Sequence, residues 1–170
     1  MKVRMERLAV SLGVAVALAM GSSGADAATA NGDLNVQITI VADCDLVTPA
    51  TLNFGATQGV LAANVDQETN LLITCTTSTP FNIGLDAGAN ESTTDDVTTR
   101  RLKSGSNFIG YQLYRNPAHS QVWGNTIGTN TFAASGTGVE VQYPVYGRVP
   151  PQTTPPIGTY TDLVAVTVTF

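Results

Sequence analysis

Gly32-Asp33-Leu34-Asn35-Val36-Gln37-Ile38-Thr39-Ile40 alternates without a break: Leu34, Val36, Ile38 and Ile40 are apolar, and Asp33, Asn35, Gln37 and Thr39 are polar between them. Side chains of an extended chain point to opposite faces in turn, so this spacing predicts a β-strand over Leu34–Val41 with one greasy face. The same pattern closes the sequence, where Val164, Val166, Val168 and Phe170 alternate with Ala165, Thr167 and Thr169. The two ends read as built for pairing.

Between them, strand-like runs fall at Thr51–Phe54, Thr69–Cys75, Phe81–Asp86, Phe108–Tyr114, Val139–Val149 and Tyr160–Phe170, separated by turn-rich stretches such as Gly124–Asn130 and Ser135–Gly138. No segment after the first residues carries a helical period of useful length. The expectation is an all-β chain, a sandwich. Charged residues make up only 12% of the sequence. A strand-rich protein with so little charge risks pairing edge to edge, which suits a protein that assembles by its edges.

The first residues carry Lys2, Arg4 and Arg7, then an apolar run from Leu8 to Met20, then small residues ending in Ala25-Asp26-Ala27. That is the three-part pattern of a secretory signal peptide over residues 1–27, with an apolar run too short to span a membrane. Export of a chain without membrane insertion follows. The formal charge of the whole sequence is −5, and removing the leader makes it one unit more negative. A mildly acidic surface argues against nucleic acid and against anionic lipid. Arg100, Arg101 and Lys103 form the one short basic cluster, expected on a solvated turn.

Cys44 and Cys75, 31 residues apart, are the only cysteines. In an oxidising compartment a single disulfide is the natural inference, with two buried free thiols as the alternative. Closing that loop is worth roughly 3.5–4 kcal/mol on the chain-entropy model. No metal set accompanies them, because His119 is the only histidine. Nor does a catalytic constellation emerge. His119 sits in the turn-like Pro117-Ala118-His119-Ser120 and is expected in an exposed loop, and Asp95-Asp96 lie in the polar stretch Asp86–Arg101, expected as a long, mobile surface loop. No cofactor is implied. Trp123 with Tyr111, Tyr114, Tyr143 and Tyr146 would make a glycan platform if exposed, although aromatics on sandwich strands more often pack in the core.

The order and spacing of several motifs resemble the archaic chaperone–usher pilins of the spore coat protein U domain family, the Csu-type major pilin in particular. They are Gly32 with its alternating strand, Cys44, Leu52-Asn53-Phe54-Gly55, Leu72-Ile73-Thr74-Cys75, Arg100-Arg101-Leu102-Lys103, Tyr111-Gln112-Leu113-Tyr114-Arg115 and Trp123-Gly124. The last block, Val145-Tyr146-Gly147-Arg148-Val149-Pro150 followed by Gly158-Thr159-Tyr160-Thr161-Asp162, is the most specific.

The resemblance implies an incomplete immunoglobulin-like β-sandwich lacking its final strand, completed by donor-strand complementation. A periplasmic chaperone would lend a strand to the open groove, and at an outer-membrane usher the N-terminal strand of the next subunit would replace it. By position, residues 28–42 would be the donor segment and 43–170 the pilin domain. Leu34, Val36, Ile38 and Ile40 would be the donor side chains. Val164, Val166, Val168 and Phe170 would line the groove on the last strand, with the carboxylate after Phe170 an anchor for basic chaperone side chains. The partners implied are further copies of the chain, other pilus subunits, the chaperone and the usher. The resemblance supplies no role for Asp95-Asp96 or for Pro155-Pro156. Two other readings stand beside it: a monomeric exported glycan-binding module built on Trp123, and a coat protein of the same family packed differently.

Overall fold

The computed structural model describes residues 27–47, 49–55 and 58–170. The leader expected over residues 1–27 therefore lies, except for Ala27, outside the described residues. The chain divides into Met1–Ile38 and Thr39–Phe170. In the first unit, residues 27–38 belong to no strand, and Leu34, Val36 and Ile38 are 87%, 86% and 82% exposed. The strand expected over Leu34–Val41 is thus absent from this chain taken alone, and Ile40 is exposed as well. Alternation records which face of a segment is apolar, but only a partner makes the segment a strand.

The second unit is all-β. Its elements are β1 Cys44–Leu46, β2 Val65–Cys75, β3 Pro80–Leu85, β4 Arg101–Ser104, β5 Asn107–Gly110, β6 Gln112–Tyr114, β7 Phe132–Ser135, β8 Glu140–Val149 and β9 Val166–Thr169. All pairings are antiparallel. One sheet runs β1-β2-β8-β6, a second β7-β3-β9, and β4-β5 form a hairpin of their own.

The two larger sheets share one core. β2 turns Leu71, Ile73 and Cys75 inward, β8 turns Tyr143, Val145 and Val149, and β3 meets them with Phe81, Ile83 and Leu85. Phe81 of β3 and Phe132 of β7 stand edge-on to Tyr143 of β8, with ring centroids 5.9 and 5.4 Å apart. Period-two burial of this kind needs apolar residues at alternate positions, which β2, β3 and β8 supply.

Several expectations shift. Thr51–Phe54 is not a strand. Its Leu52 and Phe54 instead pack against Gly147 of β8, where an added Cβ would come within 2.9 Å of them. Phe108–Tyr114 is broken at Tyr111 into β5 and β6, and Tyr160–Phe170 is a strand only over β9. The stretch Asp86–Arg101 is not a loose loop: Val97 and Arg100 are buried in it, and Asp96 and Thr99 close turns by backbone hydrogen bonds.

Candidate functional site

β9 is a sheet edge, hydrogen-bonded to β3 on one side only. Val166 and Val168 of β9 and Val164 just before it are half-buried and pack on the core from that edge, while Phe170 is 55% exposed. At the margin opposite, the two sheets are cross-tied through β6 and the turn before β7. Trp123, fully buried, donates its backbone N–H to Leu113 O at 2.9 Å and its indole Nε1 to Ile83 O at 2.9 Å, so it bridges β6 of one sheet and β3 of the other. Arg115 Nη1 reaches Thr131 O beside β7 at 2.6 Å. With β6 and β7 joined, β1 and β9 are the strands left at the other margin of the sandwich. The half-buried side chains there, Cys44 and Leu46 on β1 and the three valines on or beside β9, are apolar. An apolar seam between two unpaired edges takes one kind of occupant well, an extended segment with an apolar face and free peptide groups.

Cys44 and Cys75, register partners across β1 and β2, form the disulfide, with Cα atoms 4.1 Å apart. It fixes β1, only three residues long, against the sheet.

The approach to β9 is held by two aspartates that sequence reasoning missed in this role. Asp86 N donates to Ala165 O at 3.1 Å while its Oδ1 accepts from Ala165 N and Gly88 N, both at 2.9 Å. Asp162 accepts from Ala89 N at 3.0 Å, Asn90 Nδ2 at 2.8 Å and the Tyr111 hydroxyl at 2.7 Å. Burial, together with that carboxylate, pushes the Tyr111 hydroxyl far above its ordinary pKa, so it remains a donor. Gly88, at φ 83°, leaves room that a Cβ would take from Asp162.

Arg100, expected on a solvated turn, is 1% exposed. Its Nε donates to Asp86 O at 2.9 Å, Nη1 to Gln112 Oε1 at 2.7 Å, and Nη2 to Leu85 O at 2.9 Å, to Trp123 O at 2.8 Å and to Asp86 O. Burial draws its pKa down to about 10, which leaves it charged at neutral pH. The guanidinium ties the end of β3, the segment that carries β9, to β6 and to the Trp123 turn. The sequence offered no signal for this, since the carbonyls come from three distant segments.

His119 is likewise not an open loop histidine. Its side chain is 9% exposed, its backbone sits at φ 52°, and its ring lies edge-on to Tyr114 and Tyr146. Nδ1 is 3.1 Å from Arg148 Nη2, and Arg148 forks onto Asp66 at 2.6 and 2.7 Å across the β2–β8 register. That hydrogen-bonded guanidinium lowers the Asp66 pKa below the ordinary carboxylate value. Trp123, Tyr111 and Tyr143 are all buried, so the glycan platform does not exist as an exposed surface. Among the described residues no group of three or more His, Cys, Asp or Glu could hold a metal ion, and no helix is long and apolar enough to cross a membrane.

A disulfide-pinned antiparallel sandwich with an open apolar margin defines the class: an exposed-edge β-domain. The chain belongs to the Spore Coat Protein U domain family, whose pattern matches residues 30–167. Protein U of Myxococcus xanthus is 34% identical over 176 residues, covering 96% of this chain and 98% of that protein. The fold is similar to a chain of the CsuC-CsuE chaperone–tip adhesion subunit pre-assembly complex, from the archaic chaperone-usher Csu pili of Acinetobacter baumannii. That likeness has a TM-score of 0.53 and 26% identity, and it covers 78% of this chain and 40% of that one. The present chain thus spans less than half the length of the solved chain it matches.

Proposed function

We propose that this chain is a structural pilus subunit that polymerises by donor-strand exchange, handed from a periplasmic chaperone to an outer-membrane usher and displayed at the cell surface to support adhesion and biofilm growth. The observation that carries this is a pair of unmet surfaces. Leu34, Val36, Ile38 and Ile40 present an apolar face that is 69–87% exposed, and β9 presents an edge whose Val164, Val166 and Val168 are only half covered. The Csu complex named above, a subunit held with its chaperone before assembly, supports the same reading.

In this reading residues 28–42 are the donor segment and 43–170 the domain that receives it. An extended chain rises about 3.3 Å per residue, so Leu34 to Ile40 lays four apolar side chains along about 20 Å of groove. Each, fully buried, gains about 1.5–3 kcal/mol, and ordering costs are subtracted from that gross gain. Backbone hydrogen bonds to β9 fix the register. Exchange between copies leaves each chain donor to one neighbour and acceptor of another, a head-to-tail contact that builds a fibre.

The test is Ile38→Asp, which puts a charge in the middle of the donor face. Export is expected to continue while polymerisation into fibres stops. Normal fibres from this variant would overturn the proposal. The similarity to Protein U favours a second structural reading, a coat protein of the same domain family. Co-purification of the exported chain with a dedicated chaperone separates the two, since only the pilus reading requires one.

A further inference from the structure

β7 is the other free edge of the three-stranded sheet. Its phase follows from the ladder. Gly136 N donates to Thr79 O at 2.8 Å, and inward and outward bonds alternate along an antiparallel pair, so Ala134 and Phe132 turn their peptide groups to β3. Ala133 and Ser135 turn theirs outward. Pro80, which has no N–H to give, lies opposite Ser135, as this phase requires. Thr131 O, in the same outward phase, accepts from Arg115, which marks where the open edge begins. No other hydrogen bond among the described residues uses the outward groups of Ala133 and Ser135, and both residues are exposed.

Edges of this kind are ordinarily guarded by lysine, proline, a bulge or a covering loop. β7 has its shortness and, at its start, the Arg115 guanidinium on Thr131 O. From Ser120 to Val139 the sequence contains no charged residue, whereas the chain as a whole carries −5. Apart from Arg115 at its start, β7 therefore brings no charge of its own to a contact between two copies. The side chains at the edge, Ala133 and Ser135, are small enough for two backbones to approach, and Ile127 and Val139, 56% and 65% exposed, flank the contact with apolar surface.

We infer that β7 is a homotypic lateral contact: the β7 edge of one copy pairs antiparallel with the β7 edge of a second about a two-fold axis. The two β7-β3-β9 sheets become one continuous sheet, three strands from each copy. A two-fold contact is self-complementary, which an uncharged strand permits and a charged one would not. Four residues a side make a weak pair. Its effect grows when many copies are held in line, because each successive contact is then intramolecular. Resting on the fibre reading in that last respect only, the contact would join neighbouring fibres side by side.

The test uses the full exported chain carrying Ile38→Asp and a second, unaltered copy of Ala28–Val41 after Phe170 through a flexible linker, with and without Ala133→Pro. The added copy fills the groove, so that the domain is folded and strand exchange does not contribute. The N–H at 133 faces away from β3, so proline there spares the internal ladder while blocking the outward one. Sedimentation equilibrium of this grafted Ile38→Asp chain is expected to show concentration-dependent dimers. Ala133→Pro is expected to weaken them by about tenfold or more, at unchanged thermal unfolding. Hydrogen exchange is expected to slow at the Ala133 and Ser135 amides as concentration rises. A monomer at every concentration would overturn the inference, and so would dimers that Ala133→Pro leaves intact or amides that exchange no slower in the dimer. Whether Ile38→Asp stops fibre formation in the chain without the graft is a separate readout, so failure of the donor-strand reading is seen independently.

Discussion

Arg100 shows how far a single side chain's setting depends on residues distant in sequence. An arginine buried without a carboxylate in hydrogen-bond contact is costly, and here five hydrogen bonds to neutral oxygens of Leu85, Asp86, Trp123 and Gln112 offset the desolvation. Arg100→Met keeps volume but strands those acceptors. The expected loss is about 1–3 kcal/mol for a buried acceptor left unpaired, seen as a fall in the unfolding midpoint of roughly 5 °C or more. Arg100→Lys rescues little, because one ammonium cannot fork toward carbonyls on three segments. A midpoint within a degree or two of the parent would mean the guanidinium network contributes no net stability. In sequence, Arg100-Arg101-Leu102-Lys103 has the look of a solvated turn, and nothing local distinguishes Arg100 from Arg101. The latter does stay partly exposed, stacked 4.1 Å over Phe108 with its Nε on Asn90 O. His119 eluded sequence reasoning for the same reason, since Tyr114, Tyr146 and Arg148 reach it only through the fold.

Elements were legible in proportion to how fully their own residues specify both faces. β3, β8 and the second half of β2 turn apolar residues inward at alternate positions and lie close to where the pattern puts them, whereas Val65–Glu68, with Asp66, Gln67 and Glu68 in a row, extends β2 beyond the run expected at Thr69–Cys75. β1, β4 and β7, three or four residues long, exist because a neighbour pairs with them, and no window that short carries a period. The converse case is Leu34–Ile40, strand-like in pattern and outside every strand here, which is what a segment adapted to a partner's edge looks like. The disulfide was legible because the compartment and the cysteine count leave few alternatives. Its mechanical role was not, since that depends on Cys44 and Cys75 being register partners. The double variant Cys44→Ser, Cys75→Ser is expected to lose roughly 3.5–4 kcal/mol in urea unfolding. It is also expected to lose hydrogen-exchange protection first at Asp45 and Val47, the amides that face β2, because β1 then has only short backbone pairing to hold it. Equal stability with and without reductant in the parent would contradict this.

At the scale of the molecule, the decisive quantity is whether Thr39–Phe170 is a finished domain. Native domains hold only about 5–15 kcal/mol of net stability, and four buried donor side chains supply a gross gain of roughly 6–12 kcal/mol. An empty groove therefore sits near the boundary between folded and unfolded, while a filled one lies well inside the folded side. Removing Ala28–Val41 is expected to give a chain that unfolds at low temperature, broadly, or persists only with a chaperone. Regrafting that segment after Phe170 through a flexible linker makes the missing strand intramolecular, where its effective concentration is in the millimolar range. That form is expected to complete its own groove and to unfold in a single cooperative transition at markedly higher temperature. The same graft carrying Ile38→Asp should lose the gain, because the charge would be buried in an apolar seam without a partner. If instead the truncated chain is already stable and the graft changes nothing, the half-covered valines beside β9 belong to an ordinary surface, and the exposed face of Leu34–Ile40 must have some other use.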